Sequence, residues 1–70
     1  MTLTPVTTSK AIRAHGYDER TRTLHIEFRT GHRYAYSEFP AEAYQAFQNA
    51  PSAGSHFARE ILPHYDGVKQ

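Results

Sequence analysis

No cysteine occurs in the 70 residues, which excludes disulfide stapling, thiol catalysis and cysteine-ligated metals. No apolar run has the length of a signal peptide or of a bilayer-spanning helix, so the expected location is the cytoplasm. Neither sign of charge dominates: eight Lys/Arg face seven Asp/Glu, a formal net charge of +1. That balance does not by itself point to nucleic acid, because dedicated binders usually carry a basic surplus. Absent too are HExxH spacing, a nucleophile elbow and a phosphate-cradling glycine loop. Ser52, Ser55, His56 and His64 therefore carry no hydrolase reading, and serines before a helix are first of all caps. No enzyme, cofactor, metal or small-molecule substrate is indicated.

What is present begins with the stretch from Thr23 to Ser37. Leu24, Ile26 and Phe28 alternate with His25, Glu27 and Arg29, the period-2 pattern of a half-buried strand. Thr30-Gly31 breaks the run, and Tyr34-Ala35-Tyr36 resumes it. A two-residue loop would send both tyrosines to the face opposite Leu24, Ile26 and Phe28. A three-residue loop of Arg29, Thr30 and Gly31, closed by a glycine with positive φ, instead pairs Ile26 with Tyr34 and Leu24 with Tyr36. All the large apolar groups then share one side, and Glu27 meets Arg33 on the other, a favourable cross-strand charge pair. A slip of one residue would expose the whole set, so burial selects the three-residue loop.

Residues 1–9 are threonine-rich and aperiodic, and read as a flexible arm free to settle along the sheet edge. Lys10 to Tyr17 is a further strand, followed by the polar turn Asp18-Glu19-Arg20-Thr21-Arg22. An odd first loop that pairs Tyr17 with Thr23 would place Ile12 by Phe28 and Ala14 by Ile26, on the inner face. Pro40 opens a helix in which Ala43, Tyr44, Phe47 and Ala50 recur at helical spacing. Pro51 stops it, Ser52 or Ser55 caps a second helix bearing Phe57 and Ile61, and Pro63 ends or kinks that one. The expected fold is α+β: a three-stranded antiparallel meander with two helices on one face, β-β-β-α-α. Residues 10–65 form the single domain and 66–70 a tail. A domain of this size buries only about 60% of its unfolded surface, so the expected stability is marginal and self-association is a route to more.

These residues resemble the KTSC domain, a short module found alone in bacterial and phage proteins and at the C-terminus of some lysyl-tRNA synthetases. The resemblance runs from Ser9 to Tyr65. It rests on Ile12, Gly16-Tyr17-Asp18, Thr23-Leu24, Phe28, Gly31, Tyr34-Ala35-Tyr36, Pro40, Tyr44, Ala50, Ser52, Gly54, Phe57, Ile61 and Tyr65. The sequence departs from the pattern at His56, where the family more often has an aromatic residue, and at Ala58, where asparagine is common. The family has no established activity; the synthetase context implies RNA. Tyr34 and Tyr36 are its hallmark, and the register turns both inward as core residues.

On the outer face the same register sets Arg13, Glu27 and Arg33 in one row, with His15, His25 and Ala35 in the next and Tyr17, Thr23 and Ser37 in the third. An open antiparallel face of this kind suits single-stranded RNA. Arg13, Arg33, Arg29 and Arg22 would meet phosphates, while Tyr17 and His25 would lie beside bases. Six of the eight basic residues are arginine, which favours planar, bidentate contacts. Facing His15 and His25 lack the third protein ligand that a catalytic zinc needs. The rival expectation is a protein-interaction module that pairs through a sheet edge or an exposed helix side.

Overall fold

The alternation between Ile12 and Tyr36 builds the middle of an antiparallel sheet, and the helical spacing after Pro40 builds the layer that covers it. The computed structural model describes residues 3–7 and 9–70; Met1, Thr2 and Thr8, all in the expected arm, lie outside the described residues. In chain order the elements are β1 (Thr4–Pro5), β2 (Ile12–Asp18), β3 (Thr23–Phe28), β4 (Arg33–Tyr36), α1 (Ala41–Asn49), α2 (Ala53–His56) and β5 (Gly67–Lys69). A π-helical turn, Phe57–Ile61, continues α2. The sheet is five-stranded in the order β1-β2-β3-β4-β5, every neighbouring pair antiparallel. The expected meander of three strands is thus corrected to five. Residues read as arm and tail supply the two outermost strands, because each finds unpaired backbone groups on an edge of the meander.

The β3–β4 hairpin follows the expected register, with Leu24 opposite Tyr36, Ile26 opposite Tyr34 and Glu27 opposite Arg33. Its loop is the three-residue one. The Phe28 N–H donates to the His32 carbonyl at 2.9 Å, and Gly31 sits at φ +95°. That dihedral needs a residue without a Cβ.

The β2–β3 hairpin departs from expectation. Asp18 pairs with Thr23, leaving the even loop Glu19–Arg22 in place of an odd one. The Asp18 carboxylate accepts from the Arg20 N–H at 3.0 Å, and Arg22 takes up the turn at φ 54°. Carried along the strand, this register would send Ile12 into solvent. A β-bulge between Ile12 and Ala14 restores it, so that Ile12 still faces Phe28 while Ala14 faces Glu27. The bulge reverses the parity of the residues between Arg13 and the turn. His15 and Tyr17 therefore point inward with Leu24 and Ile26, and Ala14 and Gly16 point outward.

Both helical segments pack on the inner face. The core comprises Ile12, Leu24, Ile26, Tyr36, Phe39, Phe47, Phe57 and Ile61. Phe28 and Tyr34 are only partly buried against it. α1 is held by rings: Tyr44 stacks on Tyr17 at 5.1 Å and 18°, and Phe47 meets His15 edge-on at 5.0 Å. Phe57 anchors the second helical segment edge-on against Phe28 and Tyr36. Such aromatic pairs add about 0.5–1.5 kcal/mol each beyond the area they bury. Ser52 caps α2, its hydroxyl accepting from the Ser55 N–H at 3.3 Å. No helix among the described residues is long and apolar enough to cross a membrane.

Candidate functional site: the outer sheet face

With both helical segments on one side, the other side of the sheet stays uncovered. Its rows follow from the pairing. Arg13 and Ala14 share the position opposite Glu27, which in turn faces Arg33. The next row is Gly16, His25, Ala35 and Val68. Small residues on either side of His25 leave it and Val68 as the larger side chains of that row, His25 partly exposed and Val68 62% exposed.

Glu27 bridges the two arginines. Its Oε2 accepts from Arg13 Nη1 at 3.2 Å and its Oε1 from Arg33 Nη2 at 2.9 Å. Hydrogen bonding to Arg33, then to Arg13, holds its carboxyl below the usual glutamate range, despite some opposing desolvation. Both arginine side chains remain half exposed. A guanidinium has five N–H donors; Glu27 engages one nitrogen of each, and Arg13 Nη2 also donates to the Arg29 carbonyl at 3.1 Å. The pair thus has donors left for a second anion, with two positive charges set against one negative.

The other arginines expected here have different places. Arg29 is turned back onto the N-terminal segment, its Nε donating to the Ser9 carbonyl at 2.7 Å and its Nη2 to Val6 at 2.8 Å. It ties Val6 and Ser9 to the β3–β4 loop. Arg22 lies in the β2–β3 loop, five residues from Glu27 along the chain and at the opposite end of β3.

Two further expectations are corrected by the bulge. Tyr17 does not reach the outer face; its ring stacks under Tyr44 and its hydroxyl donates to the Phe39 carbonyl. His15 does not oppose His25, since the two are on opposite faces. Tyr34 and Tyr36 lie inward as expected, and burial pushes the Tyr36 phenol above its ordinary pKa. No group of three or more His, Cys, Asp or Glu that could hold a metal occurs among the described residues. Val68 was missed because one apolar residue in a short tail carries no period.

His15 has its own consequence. It is 7% exposed, with Nδ1 2.9 Å from the Tyr44 hydroxyl and Phe47 against its ring. Desolvation lowers its pKa below the ordinary 6.5. The unfolded chain therefore takes up a proton more readily than the native one, and stability must rise with pH across that interval. Thermal melting is expected to be flat above about pH 7.5 and to fall as pH drops through the unfolded value toward the lowered native one. In His15→Phe, which keeps a ring there, the slope in this window should vanish; a slope that persists would assign it to another histidine.

The family model for the KTSC domain matches residues 8–65. Two curated relatives, both lysine–tRNA ligases, come from Nostoc punctiforme and a second Nostoc strain. They are 40% and 38% identical over 50 residues, which are 71% of this chain and 9% of each ligase. The chain therefore spans less than a tenth of the curated relatives it matches. The crystal structure of a KTSC domain protein from Yersinia pestis superposes with a TM-score of 0.92 at 35% identity, covering 99% of this chain and 96% of the other.

Proposed function

The chain belongs to the KTSC domain family, and from that premise we propose that it is a non-enzymatic accessory module that contacts RNA through its outer sheet face. The carrying observation is an antiparallel face that neither helical segment covers, on which Arg13 and Arg33 keep free donors beside the partly exposed His25. Phosphates take the two guanidinium groups. A base rests on His25 and Val68, one row away, about 7 Å along the strands. Relatives named for ligating lysine to tRNA supply a fitting partner, and the reading sets the module in the cytoplasm. Arg22 extends the basic track toward the far end of the sheet; Arg29 and Tyr17 take no part.

The rival is a protein-interaction module. It has one observation of its own: β5 forms an outer edge of the sheet, with an exposed Val68 that a pairing strand would cover.

Titration of labelled single-stranded RNA and bulk tRNA at low and moderate salt separates the two. RNA binding through this face requires affinity to fall by roughly 0.7 log unit per log unit of salt for each phosphate neutralised. In Arg13→Gln, Arg33→Gln, affinity should drop about tenfold or more and the salt slope should shrink by about 1.4, the share of two phosphates. Glutamine is preferred to glutamate here because it leaves Glu27 without like-charged neighbours. An unchanged slope would remove this face from consideration. No binding at micromolar protein, or binding indifferent to salt, would favour the rival.

A further inference from the structure

The helical layer, on the side away from the outer sheet face, carries a groove of about 490 Å³ that opens to solvent along Ala46, Glu60 and His64. We infer that it binds an organic cation, an ammonium or guanidinium head carried on an alkyl stem. The volume lies within the range of about 300–1,000 Å³ typical of small-ligand sites. The apolar part of its lining is Phe39, Ala43, Ala46, Ile61 and Tyr65. Of the two rings only Tyr65 is partly exposed; Phe39, fully buried, backs it at 4.7 Å and 54°. On the α1 side the two alanines keep open a space that larger side chains would fill.

The polar part comes from one stretch of chain, as His56, Glu60 and His64. Their spacing of four spans the π-helical turn Phe57–Ile61, in which the Leu62 N–H reaches back to the Phe57 carbonyl at 2.9 Å. The wider turn keeps residues four apart on nearly one side. Turns of this kind recur at functional sites, which is a second and independent pointer to this location. Glu60 is the only Asp, Glu, Lys or Arg in the lining, and both ion pairs found among the described residues belong to Glu27. Glu60, itself exposed, thus brings one carboxylate without an ion pair to the rim beside the Tyr65 ring.

That combination selects the ligand. The cationic head forms a charge-assisted hydrogen bond with the Glu60 carboxylate and lies against the Tyr65 ring. Its stem runs along Ala43 and Ala46, as the methylenes of basic side chains run along apolar surface elsewhere. A carboxylate or phosphate of the same length is repelled by Glu60. The head and stem have two sources: a free small amine or guanidine, or the basic side chain of an extended peptide.

The test is an NMR titration of the whole chain, without RNA, using n-butylguanidinium, acetyl-Gly-Arg-Gly-amide and butyrate. Both cations should give saturable shifts at the Ala43 and Ala46 methyls and the Tyr65 ring, with Kd on the order of millimolar for ligands so small. Signals of Arg13 and Arg33 should stay still. Glu60→Gln should weaken binding about tenfold, and Ala46→Leu, which narrows the groove while preserving helix propensity, should abolish it. Tighter binding of the peptide would identify a partner protein as the source; equal affinities would identify the free cation. No saturable shift from either cation, butyrate binding as tightly, or an unaltered affinity in Glu60→Gln would each overturn the assignment.

Discussion

Phe39→Ala is expected to cost about 3–5 kcal/mol, the usual range for truncating a fully buried phenylalanine. Phe39 has no exposed surface, and its ring contacts those of Tyr65 and Tyr17. It sits where β4 gives way to α1, and its ring joins β2, through Tyr17, to the segment after the helices, through Tyr65. The backbone of this residue is also engaged, its N–H donating to the Arg22 carbonyl at 2.9 Å and its carbonyl accepting from the Tyr17 hydroxyl. Alanine preserves both bonds, so the loss isolates the ring. Small domains hold on the order of 5 kcal/mol in total, so the variant should be largely unfolded at room temperature, or melt more than about 12 °C lower. Circular dichroism in a thermal ramp decides it. A shift of only a few degrees would mean that the ring is not the keystone its burial implies. Phe39→Leu, which fills most of the space, should lose far less.

Gly67→Val should be the next most damaging change, by about 1–3 kcal/mol from overpacking. The φ of Gly67 is not in the left-handed region; the position is short of space instead. A Cβ built there would lie 2.6 Å from Tyr36 Cε2, 2.8 Å from Cζ and 3.0 Å from the hydroxyl oxygen. The Tyr36 ring cannot easily yield, because it is 2% exposed and Phe57 stands edge-on against it at 5.7 Å. Either the ring shifts into the core or β5 leaves β4. Hydrogen exchange distinguishes the two, since departure of β5 exposes the Gln70 N–H, which donates to the Arg33 carbonyl at 2.8 Å. If stability and amide protection both match the parent, the close approach of β5 to Tyr36 is wrong.

The β3–β4 hairpin was legible in the sequence because two signals agreed. Apolar alternation on both strands fixed the inner face, and Gly31 marked the one loop length that keeps Tyr34 and Tyr36 on it. The β2–β3 hairpin offered no such agreement. Asp18 and Thr23 close an even loop, and the bulge near Arg13 hides the mismatch from any reading that assumes strict alternation. The consequence is specific: strict alternation puts His15 and Tyr17 outward, although two rings gain more from burial than Ala14 does. Phe39 was read only as the end of the sheet. It occupies the position just before the Pro40 cap of α1, where an apolar residue often fastens the chain to the helix, and that signal was available. β1 and β5 were beyond reach, since strands of two and three residues hold no measurable period. Of the candidate site, Arg13, Glu27, Arg33 and His25 were placed correctly because their register came from the legible hairpin and a bulge that left Arg13 near Glu27.

The sheet order also governs how the molecule bears load. Because β1 and β5 form opposite rims, a force that draws these two strands apart acts across the sheet rather than along its strands. The ladder bonds of the short outer strands then open one after another, like a zip, instead of sharing the force. A pulled molecule sheds its rims first, while the β2–β3–β4 centre and its helical cover stay together.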